Sequence, residues 1–122
     1  MRNLSQHLDQ CSINTATLGF QSPIDEVIEA VARAGFGQIA PWRVEVEGKD
    51  VAAISNHIKN AGLKLSGYCR STYIPAVDAQ TFRANIEANK RALDDAAILG
   101  APAFVMVVGG LPAGSRNLTL AR

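Results

Sequence analysis

Cysteine is scarce in this chain of 122 residues: Cys11 and Cys69 stand alone, without CxxC spacing. They give no metal motif, and without a secretion signal free thiols in the cytosol are the expected state. Residues Met1 to Gln10 hold no apolar stretch that could serve as the core of a signal peptide. Long hydrophobic runs are missing too. A membrane span needs ~20 apolar residues, whereas the longest run here, Ala101 to Val108, suits a buried strand. Charge of either sign is not in excess: Lys plus Arg number 12, Asp plus Glu 11, and the net charge is +1. The basic residues form no stripe and do not interleave with aromatics, so a nucleic-acid partner is not expected. A cytoplasmic location with no membrane partner follows, and the sequon Asn117-Leu118-Thr119 is then accidental.

What is present is a globular composition, 48% hydrophobic and 19% charged, sufficient for one domain with a modest core. Disorder would need fewer apolar residues and more net charge. One pattern recurs along the chain. An amphipathic segment ends in a small residue and glycine, and an apolar stretch follows at once. It occurs at Ala34-Gly35-Phe36, Ala61-Gly62-Leu63 and Leu99-Gly100-Ala101. Glycine at this place adopts the left-handed conformation that closes a helix.

The helices have individual support. Ser22-Pro23 begins the first, with Ser as cap and Pro at the first helical position. Asp25 and Glu26 suit the positive end of its dipole, and Ile24, Val27, Ile28 and Val31 form an apolar stripe. The second runs from the cap Asp50 to Asn60, with Val51, Ile54 and Ile58 on one face. The third spans 79–99, with Phe82, Ile86, Leu93 and Ala97 expected to face inward and Arg83, Glu87, Lys90, Arg91 and Asp94 outward. Strands are expected at 10–14, 38–42, 64–69 and 103–108. The last is apolar throughout, which points to burial on both faces of a parallel sheet. A fourth helix is expected to begin after Ser115.

The order β-α-β-α-β-α-β fits a parallel barrel or a doubly wound sheet. After the first strand the chain reads Asn14-Thr15-Ala16-Thr17-Leu18-Gly19, so the GxGxxG fingerprint of a dinucleotide fold is absent, as is a P-loop. A complete (β/α)8 barrel needs ~250 residues. Four strands of an expected eight, and about half that length, make the chain half of a TIM barrel.

Four segments carry a family resemblance: 11–18; Ala34-Gly35-Phe36 together with Ala40-Pro41-Trp42-Arg43; Gly67-Tyr68-Cys69-Arg70; and Val107-Val108-Gly109-Gly110-Leu111-Pro112. In that order they resemble the opening half of xylose-isomerase-like TIM-barrel proteins, which include sugar (phosphate) isomerases and epimerases. Residues 1–122 are then the N-terminal half of such a barrel, with 1–9 as a flexible tail. The resemblance implies metal-assisted proton transfer next to a sugar carbonyl, with one divalent cation, often Mn²⁺ or Mg²⁺. In the family those ligands come mostly from later strands, so no position here inherits them and no metal is expected on this chain alone. The related endonuclease IV branch uses histidines of early loops. Here the third strand ends in Cys69-Arg70-Ser71-Thr72-Tyr73, and the only histidines are His7 and His57, which argues against DNA repair.

Active sites of such barrels lie at the C-terminal ends of the strands. That rule singles out Asn14, Trp42, Arg43, Cys69, Arg70, Gly109 and Gly110 as substrate-binding candidates. Trp42 offers a flat apolar face and Arg43 a fork for hydroxyl or phosphate oxygens, or Arg43 simply pairs with Glu45 or Glu47. Arg70 has a similar case. Cys69 reads as a small core residue with no adjacent base. Asn14 either meets a ligand or fixes a turn. Gly109-Gly110, with Gly114-Ser115, either approaches a phosphate near a helix N-terminus or makes a plain turn. His57 is placed at the surface or its boundary, His7 in the tail, and Glu45, Glu47 and Lys49 in a solvated loop cluster. The partner expected is a small sugar or sugar phosphate. Uncovered half-barrel edges would also recruit a second copy of the chain. Two other readings stay open: a self-sufficient α/β binding module, and a catalytically dead structural or regulatory family member.

Overall fold

The three helices expected before residue 100 form within a residue or two of their expected bounds. The computed structural model describes residues 3–110. Helix α1 spans Ile24–Arg33, the one-turn α2 Arg43–Val46, α3 Val51–Asn60 and α4 Ala79–Leu99. Asp50 and Asp78 are N-caps whose carboxylates accept from the backbone N–H of Ala53 at 2.9 Å and of Thr81 at 2.7 Å. The start of α1 differs from expectation. Pro23, extended at ψ 148°, takes the N-cap position, and no side chain caps the helix. The helix thus begins one residue later than the Ser22 cap implies, with Pro23 outside its first turn. The three glycines that follow α1, α3 and α4 have the left-handed φ their pattern requires: +85° at Gly35, +76° at Gly62 and +74° at Gly100.

The strands are β1 Ser12–Asn14, β2 Gln38–Ala40, β3 Lys64–Leu65, β4 Tyr68–Cys69 and β5 Phe104–Val105. Every pairing is parallel: β1 with β2, β2 with β3, and β4 with β5. A further parallel bridge joins Trp42 to Cys69. The chain is therefore an α/β half-barrel with its strands in chain order. The expected strand 64–69 is divided at Ser66-Gly67. Its amides still alternate between neighbours: Ser66 N–H donates to Ile39 O at 3.0 Å, Tyr68 N–H to Ala103 O at 2.8 Å and Cys69 N–H to Pro41 O at 3.1 Å. The expected strand 103–108 shortens to two residues, and it is not buried on both faces. Val105, Met106 and Val108 are about half exposed; among the described residues β4 alone pairs with β5.

The core lies between the strands and the helices that cover them. Ile28 of α1, Ile39 of β2, Ile58 of α3 and Leu99 of α4 are fully buried, and each side chain of that size contributes roughly 1.5–3 kcal/mol by leaving water. The inward face of α4 corrects the sequence reading. Asn89, Ala92, Ala96 and Leu99 are buried, whereas Phe82, Leu93 and Ala97 are exposed and Ile86 only half-buried. Two alanines let the α4 backbone approach α3, where Ser55 Oγ donates to Leu99 O at 3.0 Å. An apolar count rotates the face toward the larger side chains and passes over Asn89. Tyr68 is fully buried with no partner for its hydroxyl among the described residues, and burial pushes its phenol pKa up.

Where a tail is expected before β1, Leu8–Gln10 forms a 3₁₀ turn. Its carbonyls meet the chain ahead of β2: Gly37 N–H donates to Leu8 O at 3.2 Å. A Cβ on Gly37 would come within 1.8 Å of Asp9 O, so only glycine fits there. The expected helix after Ser115, and Gly114-Ser115, lie outside the described residues.

Asp78 gives the fold a pH dependence of definite sign. The Thr81 backbone N–H, with the Thr81 hydroxyl, lowers the pKa of this carboxylate in the folded state. Its stabilisation is complete above the unfolded value of about 3.9 and is lost as pH falls through the lower folded value. Asp78→Ala should therefore lower Tm at neutral pH, with the gap to wild type closing in acid. A gap that persists at low pH, read by circular dichroism melts across a pH series, contradicts this role.

Candidate functional site

The ends of β1 and β2 are locked together by polar side chains. Asn14 closes β1. Its Oδ1 accepts from Ala16 N–H at 3.1 Å, which opens the 3₁₀ turn Thr15–Leu18, and from the Trp42 indole Nε1–H at 2.5 Å. Its Nδ2 lies 4.0 Å from Cys69 Sγ. Asn14 thus fixes a turn, and it also orients the tryptophan that follows β2. Beneath them Thr15 is fully buried and donates through Oγ1 to Glu45 Oε2, which also accepts from Trp42 N–H at 2.9 Å. Glu45 was expected in a solvated cluster. It is 6% exposed, reaches back to the N-cap of α2, and ties the loop after β1 to the end of β2. Its second oxygen, Oε1, has no partner among the described residues.

Above this layer a cleft of about 600 Å³ opens, lined among others by Phe20, Trp42, Arg43, Arg70, Thr72 and Tyr73. Arg43 is held on one side by Glu47 Oε2 at 3.1 Å and on the other donates from Nη1 to Thr72 Oγ1 at 2.6 Å. The Arg70 guanidinium lies over two aromatic rings, 5.5 Å from the Trp42 centroid and 4.9 Å from that of Tyr73. The Cys69–Arg70 peptide bond is cis. Phe20 packs against Trp42 with centroids 5.8 Å apart. It does so from a left-handed backbone, φ +56°, a conformation of order 1–3 kcal/mol above the normal one for a side chain of this kind.

The loop carrying Arg70 is clamped from two directions. Asn89 of α4 accepts from Thr72 N–H at 2.6 Å and donates to Thr72 O at 3.0 Å. The Ser71 hydroxyl donates to Val107 O at 3.0 Å and accepts from Val107 N–H at 2.7 Å. Asn89 therefore takes a buried place on α4 to pair a loop backbone, which explains why apolar periodicity misses it.

Of the residues singled out by position in the barrel, Asn14, Trp42, Cys69 and Arg70 come together at one rim, with Arg43 beside them. Cys69 is buried, and burial pushes its thiol pKa up, the reverse of what a nucleophile needs. Gly109 lies against the rim, although not as a phosphate cradle. Its φ is +93°, and a Cβ there would come within 2.7 Å of Tyr73 Cβ and Cγ, so glycine makes room for that ring. A Cβ on Gly110 would meet nothing within 4 Å among the described residues. Phe20, Thr72 and Tyr73 line the same cleft and were not among the sequence candidates. Aromatics in the loops just past β1 and β4 were the available signal. His57 stays at the boundary, bridging α3 to α1 through Asp25 at 2.9 Å.

The divalent cation implied by the family resemblance does not fit these residues. Among the described residues no group of three or more His, Cys, Asp and Glu side chains converges, and the one carboxylate lining the cleft, Glu47, is paired with Arg43. No described helix is long and apolar enough to cross a membrane.

No protein-family model matches the chain, and no curated protein does. Solved structures do. The chain is 39% identical to protein SMc04130 from Sinorhizobium meliloti 1021, at a TM-score of 0.84 over 94% of its own length. It matches a D-psicose 3-epimerase determined in the presence of D-fructose at a TM-score of 0.71 and 17% identity over 90% of its length. A third match is a xylose isomerase-like TIM barrel/4-hydroxyphenylpyruvate dioxygenase fusion protein, at a TM-score of 0.64 and 16% identity over 78% of the chain. In fold the chain is a xylose-isomerase-like half-barrel. It spans 42% of the Sinorhizobium protein, 42% of the epimerase and 15% of the fusion protein.

The buried Thr15–Glu45 contact yields a direct check. Thr15→Val keeps the shape but leaves the carboxylate without its hydroxyl partner, at a cost of about 1–3 kcal/mol. Urea denaturation should show that loss with an unchanged m-value. A variant as stable as wild type contradicts the contact.

Proposed function

We propose that this chain forms the opening, substrate-binding half of a small-sugar isomerase or epimerase barrel. The observation that carries this is the convergence of Asn14, Trp42, Cys69 and Arg70 from successive strand ends on one rim, where barrels place their sites. Trp42, oriented by Asn14, offers its ring as an apolar wall, and Phe20 extends it. The Thr72 hydroxyl and the two guanidinium groups also line the cleft, the mixture of apolar wall and few donors that small-molecule sites use. In this reading the chain binds and orients a sugar. Proton transfer next to the carbonyl, assisted by a Mn²⁺- or Mg²⁺-type cation, belongs to the complete barrel, and no step of it is assigned to the described residues.

Backbone amide shifts measured by NMR as D-fructose is added test the placement. Changes should cluster at residues 14–20, 42–47 and 69–73. Changes at the opposite rim, around Gly37, Ala61–Leu63 and Ala101, or none at all, contradict it.

The edges of the half-barrel support a second part of the proposal. Leu93 and Ile98 of α4, Val105 of β5, and Met106 and Val108 just after it are each about half exposed. Apolar surface of this kind beside an open strand edge recruits a partner. A second copy of the chain, presenting the same surface, would cover it. Light scattering after size exclusion should give a dimer for the 122-residue chain. A monodisperse monomer across the concentration range contradicts the homo-oligomer.

A further inference from the structure

The charges around the cleft do not balance. Its lining holds Arg43, Glu47 and Arg70. Arg43 and Glu47 neutralise each other at 3.1 Å, while Arg70 has no carboxylate and no hydrogen-bond acceptor among the described residues; its contacts are the two rings. The group is half-buried and sits next to the end of β4. Its position is built rather than incidental. Asn14 holds the Trp42 ring, and Gly109 makes room for the Tyr73 ring. Two clamps, Asn89 on Thr72 and Ser71 on Val107, hold the loop that carries Arg70. Rings that stack on a guanidinium fix its plane and leave its N–H donors unpaired. A planar fork of unpaired donors fits a carboxylate or phosphate bidentately.

We infer that the substrate of this site carries a terminal oxyanion, either a sugar-acid carboxylate or a phosphate, and that Arg70 is the residue that receives it. The inference rests on the proposed sugar site and narrows it from small sugars in general to anionic ones. A neutral sugar would leave the Arg70 N–H donors without an anionic acceptor.

Trp42 is the only tryptophan in the chain, so its fluorescence reports on this spot alone. Titrations with D-fructose, D-gluconate and D-fructose 6-phosphate compare the neutral sugar with the two oxyanions. At least one anion should bind about 10–100-fold more tightly than fructose, the range expected for hydrogen bonds to a charged group, and whichever does identifies the oxyanion. Arg70→Gln, with its fold checked by circular dichroism, should erase that margin. Arg70→Lys keeps the charge but not the fork and should reduce it, and it serves if Arg70→Gln does not fold. Fructose binding as tightly as both anions, or an undiminished margin in the variants, overturns the inference and leaves the sugar site standing. No response to any of the three probes overturns both.

Discussion

In a parallel ladder each strand must be entered from the same end, so the chain returns through a crossover every time. All strand C-termini then collect on one rim, and residues far apart in sequence become neighbours there. That constraint acts on this chain through three short ladders and one bridge. Asn14 and Trp42 meet because β1 and β2 run side by side in register from Ser12 and Gln38. Trp42 and Cys69 meet across the bridge that carries the order onward, and Arg70 follows. Were one strand reversed, its tip would lie at the far end and the cleft would lose a wall.

The rim residues divide by what they touch. Asn14, Thr15, Glu45, Ser71 and Asn89 are committed to other protein groups, and they hold the loops after β1, β2 and β4 in place. The ring of Trp42, the ring of Tyr73 and the guanidinium of Arg70 are held by that scaffold and face the cleft. Pre-organisation of this kind lowers the cost of ordering side chains when a ligand binds. Phe20, kept at a positive φ, packs against the Trp42 ring at the same rim.

Helices α1 and α3 were legible almost to the residue, because apolar spacing and terminal glycines agreed, with an Asp cap as well for α3. The boundaries of α4 were legible for the same reasons, but its buried face was not. Asn89 is drawn inward by a backbone pairing from another part of the chain, and two alanines replace the large side chains that periodicity favours. Glu45 was misplaced in the same way. A charged residue in a loop reads as solvated until the partners that bury it, Thr15 and the Trp42 amide, are brought in by the fold. The seven rim candidates came from position in the barrel alone. The structure brings Asn14, Trp42, Cys69 and Arg70 together at one rim. Position could not show that Gly109 serves the Tyr73 ring, since that contact joins segments 36 residues apart in sequence, as the Ser71–Val107 pairing also does.

An isotope-edited NOESY spectrum of the chain tests the parallel arrangement and its rim in one measurement. Cross-strand contacts should follow the registers Ser12–Gln38, Gln38–Lys64 and Tyr68–Phe104, with the Trp42 indole proton close to the Asn14 side chain. Strong Hα–Hα contacts between any of these strands, the mark of the close Cα pairs in antiparallel sheets, would contradict it, as would an indole proton with no contact to Asn14.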